Sequence, residues 1–266
     1  MFWRSDPNLY PPYLRARIRR GRGVGERMNY KRWLNICDVP STGTSSSTSG
    51  IKVRRPVHLL SELETTYFYI AERTHSIVDI REQWPILHID ETLRLCSSLG
   101  IKHAYREGYP EPFTIDFLLT EVVEGKPIIY RAASIKTAED AKDPKVRQRL
   151  AVEFMWCQAH GIPWTLIDTS SFDRTVLETL RFLRSWFRNR YEPNEKIVDE
   201  FVEQFLLAYI PNVVLQTLIE NIAKRLGIDQ STATNIFSFS AWSDRIPVSL
   251  RHPVLMNKPL VLNRFK

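Results

Sequence analysis

Pro112-Phe113-Thr114-Ile115-Asp116-Phe117-Leu118-Leu119 is the stretch whose reading decides the fold. It is apolar and aromatic-rich, which predicts a β-strand. The run Ile128-Ile129-Tyr130-Arg131-Ala132-Ala133-Ser134-Ile135 is β-prone as well, with Glu124-Gly125-Lys126-Pro127 as the turn between them. Pairing across that turn brings Asp116 near Lys136, at the end of the neighbouring strand. A carboxylate inside an apolar strand is costly to bury unless its charge is compensated, so Asp116 has either a partner or a cation.

Upstream, residues 59–74 carry Leu60, Leu63, Tyr67 and Ile70 at helical spacing. Glu64 lies one step from that stripe, and Ser61-x-x-Glu64 is also a capping box. Ile77 to Ile86 alternates like a half-buried strand, and a looser stretch with Pro110 and Pro112 follows. Downstream, 145–160 reads as a helix with Val146, Leu150, Phe154 and Cys157 inward and Glu153 on or beside the buried face. Gly161 closes it, and Ile162-Pro163-Trp164-Thr165-Leu166-Ile167 is a further strand. Helix, strand, strand, strand, helix, strand predicts an α/β domain with a mixed sheet over 56–172.

From about 174 the pattern becomes helical: Val176–Arg188, Glu195–Tyr209, Val213–Leu226 and Gln230–Trp242. Leu218 to Ile228 reads as the first helix and glycine turn of a helix-turn-helix, and Gln230–Phe239 as its second helix. Val248-Ser249-Leu250-Arg251 and Leu260-Val261-Leu262 suit a β-wing, so 173–266 is expected to be a small winged-helix domain that binds DNA or protein.

Charge is uneven. The first 55 residues carry a net +9, 56–210 a net −6, and 211–266 a net +4. The basic segment 1–55 contains Arg15, Arg17, Arg19, Arg20, Arg22 and Arg32, interleaved with Gly21, Gly23 and Gly25. Guanidinium forks match phosphate oxygens and glycine permits close backbone approach, so this reads as an arm for DNA or an acidic partner, with a solubilising tail as the plain alternative. Residues 41–50, rich in Ser, Thr and Gly, read as a flexible loop ending it. No run of 18 apolar residues is present, which excludes an α-helical membrane span, and the first residues lack the apolar core of a signal peptide. The three cysteines, Cys37, Cys96 and Cys157, are scattered, which points to reduced thiols and a cytoplasmic protein. The six histidines show no metal-ligand spacing, and no P-loop or G-x-S-x-G elbow is present.

Glu64, Asp116 and Lys136, from a helix, a strand and the end of the next strand, have the components of a metal-dependent nuclease centre. Carboxylates hold a hard cation, and the lysine orients the nucleophile or stabilises the transition state. Taken alone, Asp116 and Lys136 favour a structural ion pair over a site. Ser134 stands where the D-x(n)-[E/D]-x-K pattern of restriction enzymes has a carboxylate.

The chain resembles the TnsA endonuclease family of heteromeric, Tn-seven-like bacterial transposons. The resemblance runs in order through Arg17-Ile18, Gly21-Arg22-Gly23-x-Gly25, Trp33-Leu34, Val39-Pro40-Ser41, His58 to Glu64, Val78-Asp79-Ile80-Arg81-Glu82-Gln83, Ile101-Lys102-His103, Thr114-x-Asp116-Phe117-Leu118, Ile135-Lys136 and Ile162-Pro163-Trp164. It implies a restriction-endonuclease-like catalytic domain followed by a winged-helix domain, with Glu64, Asp116 and Lys136 on the active-site positions and Mg2+ as cofactor, Mn2+ substituting. Ser134 occupies a metal-site position where the family has Gln, so the Ile135 carbonyl is an alternative ligand. Glu153 matches a family glutamate that ligates metal or positions water, though it also fits a solvated helix glutamate. The resemblance further implies a nucleoid-associated bacterial protein cutting the 5′ strands at transposon ends. Its expected partners are double-stranded end DNA, a TnsB-like strand-transfer transposase and, through the C-terminal domain, a TnsC-like AAA+ regulator. Two other readings stay open: a stand-alone restriction-like or resolvase-like endonuclease, and a non-catalytic winged-helix subunit.

Overall fold

The structure is a computed structural model. It describes residues 10, 12–34, 45–106 and 108–263; Cys37, the Val39-Pro40-Ser41 segment and residues 41–44 of the expected loop lie outside them. The chain divides into two units, Met1–Ser170 and Ser171–Lys266.

In the first unit the elements are α1 (Pro12–Arg19), β1 (Ser46–Ser49), β2 (Pro56–Leu59), α2 (Glu62–Arg73), β3 (Ile77–Pro85), α3 (Ile89–Ser98), the short β4 (Tyr105–Arg106) and β5 (Tyr109–Pro110), β6 (Thr114–Glu121), β7 (Ile129–Ile135), α4 (Pro144–Ala159) and β8 (Trp164–Ile167). The central sheet has the order β3-β6-β7-β8. Its first three strands are antiparallel, with Phe117 opposite Ala133, and β8 runs parallel to β7 after the α4 crossover. This is the expected mixed sheet. β6 is buried along seven of its eight residues, because helices cover both faces and the near-continuous apolar run tolerates that. Tyr67 of α2 packs on Phe117, ring centroids 5.3 Å apart. Val152, Trp156 and Cys157 of α4 join Ile115, Leu118, Ala132 and Trp84 in one core cluster. A buried tryptophan of this kind, cut to alanine, costs about 3–5 kcal/mol.

Four expectations change. β3 is an edge strand and was expected to be half-buried, yet it is buried almost throughout. Chain from the N-terminal segment covers its free edge: Trp33 N–H donates to the Gln83 carbonyl, Tyr30 Oη to the Glu82 carbonyl at 2.9 Å, and Arg55 to the Ile80 carbonyl at 2.9 Å. Covering an edge in this way blocks pairing with other chains. Second, the basic segment is largely packed, with Leu14, Ile18 and Trp33 buried against Leu87. Its glycines serve this packing. Gly23 has φ +74°, and a Cβ there would meet Pro85 Cγ at 2.3 Å. Third, the described part of the expected flexible loop is strand β1, paired with β2. Gly50 turns the pair, and a Cβ on it would meet Val53 Cγ2 at 2.3 Å. Fourth, the stretch read as loose contains α3, which buries Thr92 and Cys96 one turn apart.

The second unit holds α5 (Arg174–Leu183), α6 (Ser185–Arg188), α7 (Glu195–Ala208), α8 (Leu215–Leu226) and α9 (Gln230–Trp242). α8 closes at Gly227 in the left-handed conformation, the usual glycine stop. α9, expected to be the second helix of a helix-turn-helix, is the centre of the unit: Ala233, Ile236, Phe237, Ala241 and Trp242 are buried, and Phe237 packs on Phe205 at 5.3 Å. The segments expected to form a wing meet at one isolated bridge, Val248 with Leu262, and Val214 bridges Pro259; neither is a strand among the described residues. Pro247, Pro253 and Pro259 lack the N–H groups a ladder needs. No described helix is long and apolar enough to cross a membrane.

Candidate functional site

Register and turn place the chemistry. One step beyond the last paired residues, Phe117 and Ala133, the Asp116 side chain reaches across to the end of β7. Its Oδ2 accepts the Ile135 N–H at 2.7 Å and the Lys136 ammonium at 2.8 Å. Lys136 Nζ also donates to the Ile135 carbonyl at 2.9 Å. The Asp–Lys pair expected from sequence therefore exists, and it lies in a cleft of about 490 Å³ whose walls include Glu64, Gln83, Asp116, Lys136, Arg149 and Glu153.

Glu64 makes the expected cap and also lines the cleft. Its backbone N–H donates to Ser61 Oγ at 3.1 Å, capping α2, while its own Oε2 accepts the Leu60 N–H at 2.9 Å and the Gln83 amide at 3.4 Å. Burial, and secondly the Asp116 charge, push its pKa up to about 8. Glu153, from α4, behaves alike: burial first and Asp116 second raise it to about 7. Burial alone would lower Lys136, but Asp116 and the two glutamates outweigh it and hold the ammonium above its ordinary pKa. Carboxyl groups from α2, β6 and α4 thus crowd one cleft with a single lysine at its floor. Like charges so arranged favour either a shared proton or a bound cation.

Ser134 is placed differently from the expectation. It is buried, donates its hydroxyl to Glu153 Oε2 at 2.6 Å and accepts the Trp164 indole N–H at 3.2 Å. Its oxygen is thus committed to orienting Glu153, and the cleft wall is Glu153 itself. Gln83 was absent from the sequence-derived site. Its φ of +47°, unusual for a residue with a side chain, turns the end of β3 so that its amide meets Glu64. The only sequence signal for it was its place at the end of the Ile80-Arg81-Glu82-Gln83 run.

The arginines read as DNA-binding divide. Arg15 donates to the Tyr10 carbonyl, Arg17 lies 3.7 Å from Glu111 and over the Trp33 ring, and Arg22 donates to the Trp33 carbonyl at 3.2 Å. Burial, more than the neighbouring Arg55 and Arg22 charges, lowers the Arg32 pKa, with Glu82 opposing. Arg19 and Arg20 are exposed.

Oxygen donors from α2, β6 and α4 are thus gathered around one lysine on a mixed sheet. Residues 74–169 match the family model described as TnsA-like endonuclease, N-terminal. That segment contains Gln83, Asp116, Ser134, Ile135, Lys136 and Glu153, and begins after Glu64. The chain is also 34% identical over 169 residues to the Transposon Tn7 transposition protein TnsA of Escherichia coli, a match covering 64% of this chain and 61% of that protein. Over these residues the chain is similar to TnsA, and its match spans less than two thirds of that relative's length.

Proposed function

We propose that this chain is a divalent-metal-dependent DNA endonuclease that cuts the 5′ strands at transposon ends within a heteromeric transposase. The observation carrying this reading is the convergence of Glu64, Asp116, Glu153 and Lys136 on one open cleft. An all-oxygen donor set suits Mg2+, with Mn2+ as a substitute. Glu64 and Asp116 would hold the ion, with the Ile135 carbonyl and Glu153 as further donors. When bound, such an ion acidifies a water and neutralises charge on the phosphoryl group. Lys136, fixed by Asp116 and the Ile135 carbonyl, supplies a positioned positive charge to the scissile phosphate or orients the attacking water. Gln83 keeps Glu64 turned into the cleft. Leu34, Leu60, Pro112 and Leu150 give the cleft apolar walls that limit bulk water around these groups.

Duplex DNA is the proposed substrate. A second cleft of about 350 Å³ is lined by Arg20, Arg22, Lys31, Arg32 and Arg55, of which the exposed Arg20 and Lys31 suit backbone phosphates. The relative's identity as a transposition protein supports a TnsB-like transposase and a TnsC-like regulator as partners, in the bacterial cytoplasm. We assign regulator docking to the C-terminal unit. With α9 largely buried and the wing segments meeting at a single bridge, that unit suits protein docking better than base reading. The test is reconstitution with the neighbouring transposase on donor DNA and Mg2+: wild type nicks the 5′ strand and Asp116→Ala does not. Equal cutting by both overturns the assignment.

A further inference from the structure

His88 precedes α3, Glu91 lies in its first turn, and His160 follows the last turn of α4. His160 is 69 and 72 positions beyond the other two in sequence, and the packing of α3 on α4 brings the three together. His160 Nε2 lies 2.7 Å from Glu91 Oε2, and His88 Nδ1 lies 3.5 Å from Glu91 Oε1. One ligand atom from each falls within 4.8 Å of the other two, and among the described residues no other group of three histidine, cysteine or acidic side chains does so. The rings are held from behind. The Trp156 indole stacks on His160 at 4.2 Å and packs tilted against His88 at 5.9 Å, while the two imidazoles lie 5.2 Å apart. The cluster is only partly buried, so an ion can reach it from solvent.

We propose that His88, Glu91 and His160 form a second metal site, selective for a transition-metal ion such as Zn2+ and separate from the carboxylate cleft. Two imidazoles and one carboxylate are a three-ligand set that zinc and its first-row neighbours accept and that Mg2+ does not favour. Zinc bonded at about 2.1 Å in tetrahedral geometry sets its ligand atoms about 3.3 Å apart. The two histidines face different oxygens of Glu91, so with one glutamate oxygen as ligand the His160–Glu91 hydrogen bond is exchanged for coordination and the ligand atoms, within 4.8 Å of one another, draw in by up to about 1.5 Å. A fourth position stays open to water. The ion would link the start of α3 to the end of α4, helices that pack on one another, and so would stabilise the fold by mass action.

The test uses the full chain, stripped with a chelator and then titrated with Co2+ in excess Mg2+, which occupies the carboxylate cleft. Four- or five-coordinate Co2+ with nitrogen ligands absorbs visibly, and octahedral Co2+ on carboxylates barely does. The expected result is one equivalent of visible Co2+, displaced by Zn2+, retained in Asp116→Ala and lost in His88→Ala and His160→Ala. Glu91→Gln, which keeps a hydrogen-bonding group, weakens binding at least tenfold, and the Zn2+-induced rise in Tm disappears with it. Absence of the band, its survival in both histidine variants, or its loss in Asp116→Ala overturns the proposal.

Discussion

Ser134 donates its hydroxyl to Glu153 Oε2 at 2.6 Å, which makes the serine an orienting group for the glutamate in the cleft wall. On the proposed function, the carboxylate missing at Ser134 would be supplied by Glu153 of α4. Ser134→Ala removes that hydrogen bond and leaves Glu153 buried with less compensation. Losing a partner that orients a metal ligand typically lowers affinity or activity about 10- to 100-fold. The expected result is a loss in that range in apparent Mg2+ affinity in a nicking titration, with Tm little changed. Wild-type Mg2+ dependence in Ser134→Ala would remove Glu153 from the site.

The raised carboxyl pKa values set a pH dependence. In the metal-free fold Glu64 keeps its proton until about pH 8 and Glu153 until about 7, while the unfolded chain loses both near the ordinary carboxylate value. Between those limits the folded state binds more protons, so these two groups make stability fall as pH rises through the window. Tm measured in chelator is therefore predicted to drop from pH 5.5 to pH 8 by less in Glu64→Gln than in wild type. Mg2+ binding releases the same protons, so affinity measured by calorimetry rises with pH up to about 8 (the Glu64 value).

Arg55 and Glu82 make a two-pronged ion pair at 2.8 and 2.6 Å, with Glu82 fully buried. Removing one partner strands the other charge in the interior, which costs about 3–5 kcal/mol. Arg55→Ala is expected to lower the urea midpoint accordingly, and Arg55→Met with Glu82→Leu to recover most of the loss. The pair ties β2 to the covered edge of β3, so DNA cleavage should fall in proportion to the folded fraction.

Arg19 and Arg20 are the expected phosphate contacts, because Arg17 and Arg22 are held within the fold. Alanine at either exposed position should reduce the slope of log affinity against log salt by about one, with stability unchanged. Arg17→Ala should instead lower Tm. Filter binding at several salt concentrations, beside thermal melts, distinguishes the two classes.

The strand around Asp116, its turn and its lysine were legible because an apolar run broken by one acid has few explanations. The helices bearing Glu64 and Glu153 were legible from spacing, with α2 and α4 beginning within a few residues of expectation. What sequence did not reveal were relations set by tertiary contact. Nothing local says that Trp33 and Arg55 cover the edge of β3, so its alternation suggested a solvent face that is absent. Gly23 suits both a phosphate and Pro85 Cγ, and only the packed chain chooses between them. α3 was missed for want of a cap signal: His88 precedes it, with no side-chain cap. With α3 went the meeting of His88 and His160, which depends on two helix ends 72 positions apart in the chain.

The central claim, that Glu64, Asp116 and Glu153 converge to hold a divalent cation, is tested most directly by anomalous diffraction from crystals soaked in Mn2+. The account predicts a manganese peak in the cleft within bonding distance of Asp116 and Glu64, absent from Asp116→Ala crystals. A cleft without manganese at saturating concentration, or an unchanged peak in Asp116→Ala, would contradict it.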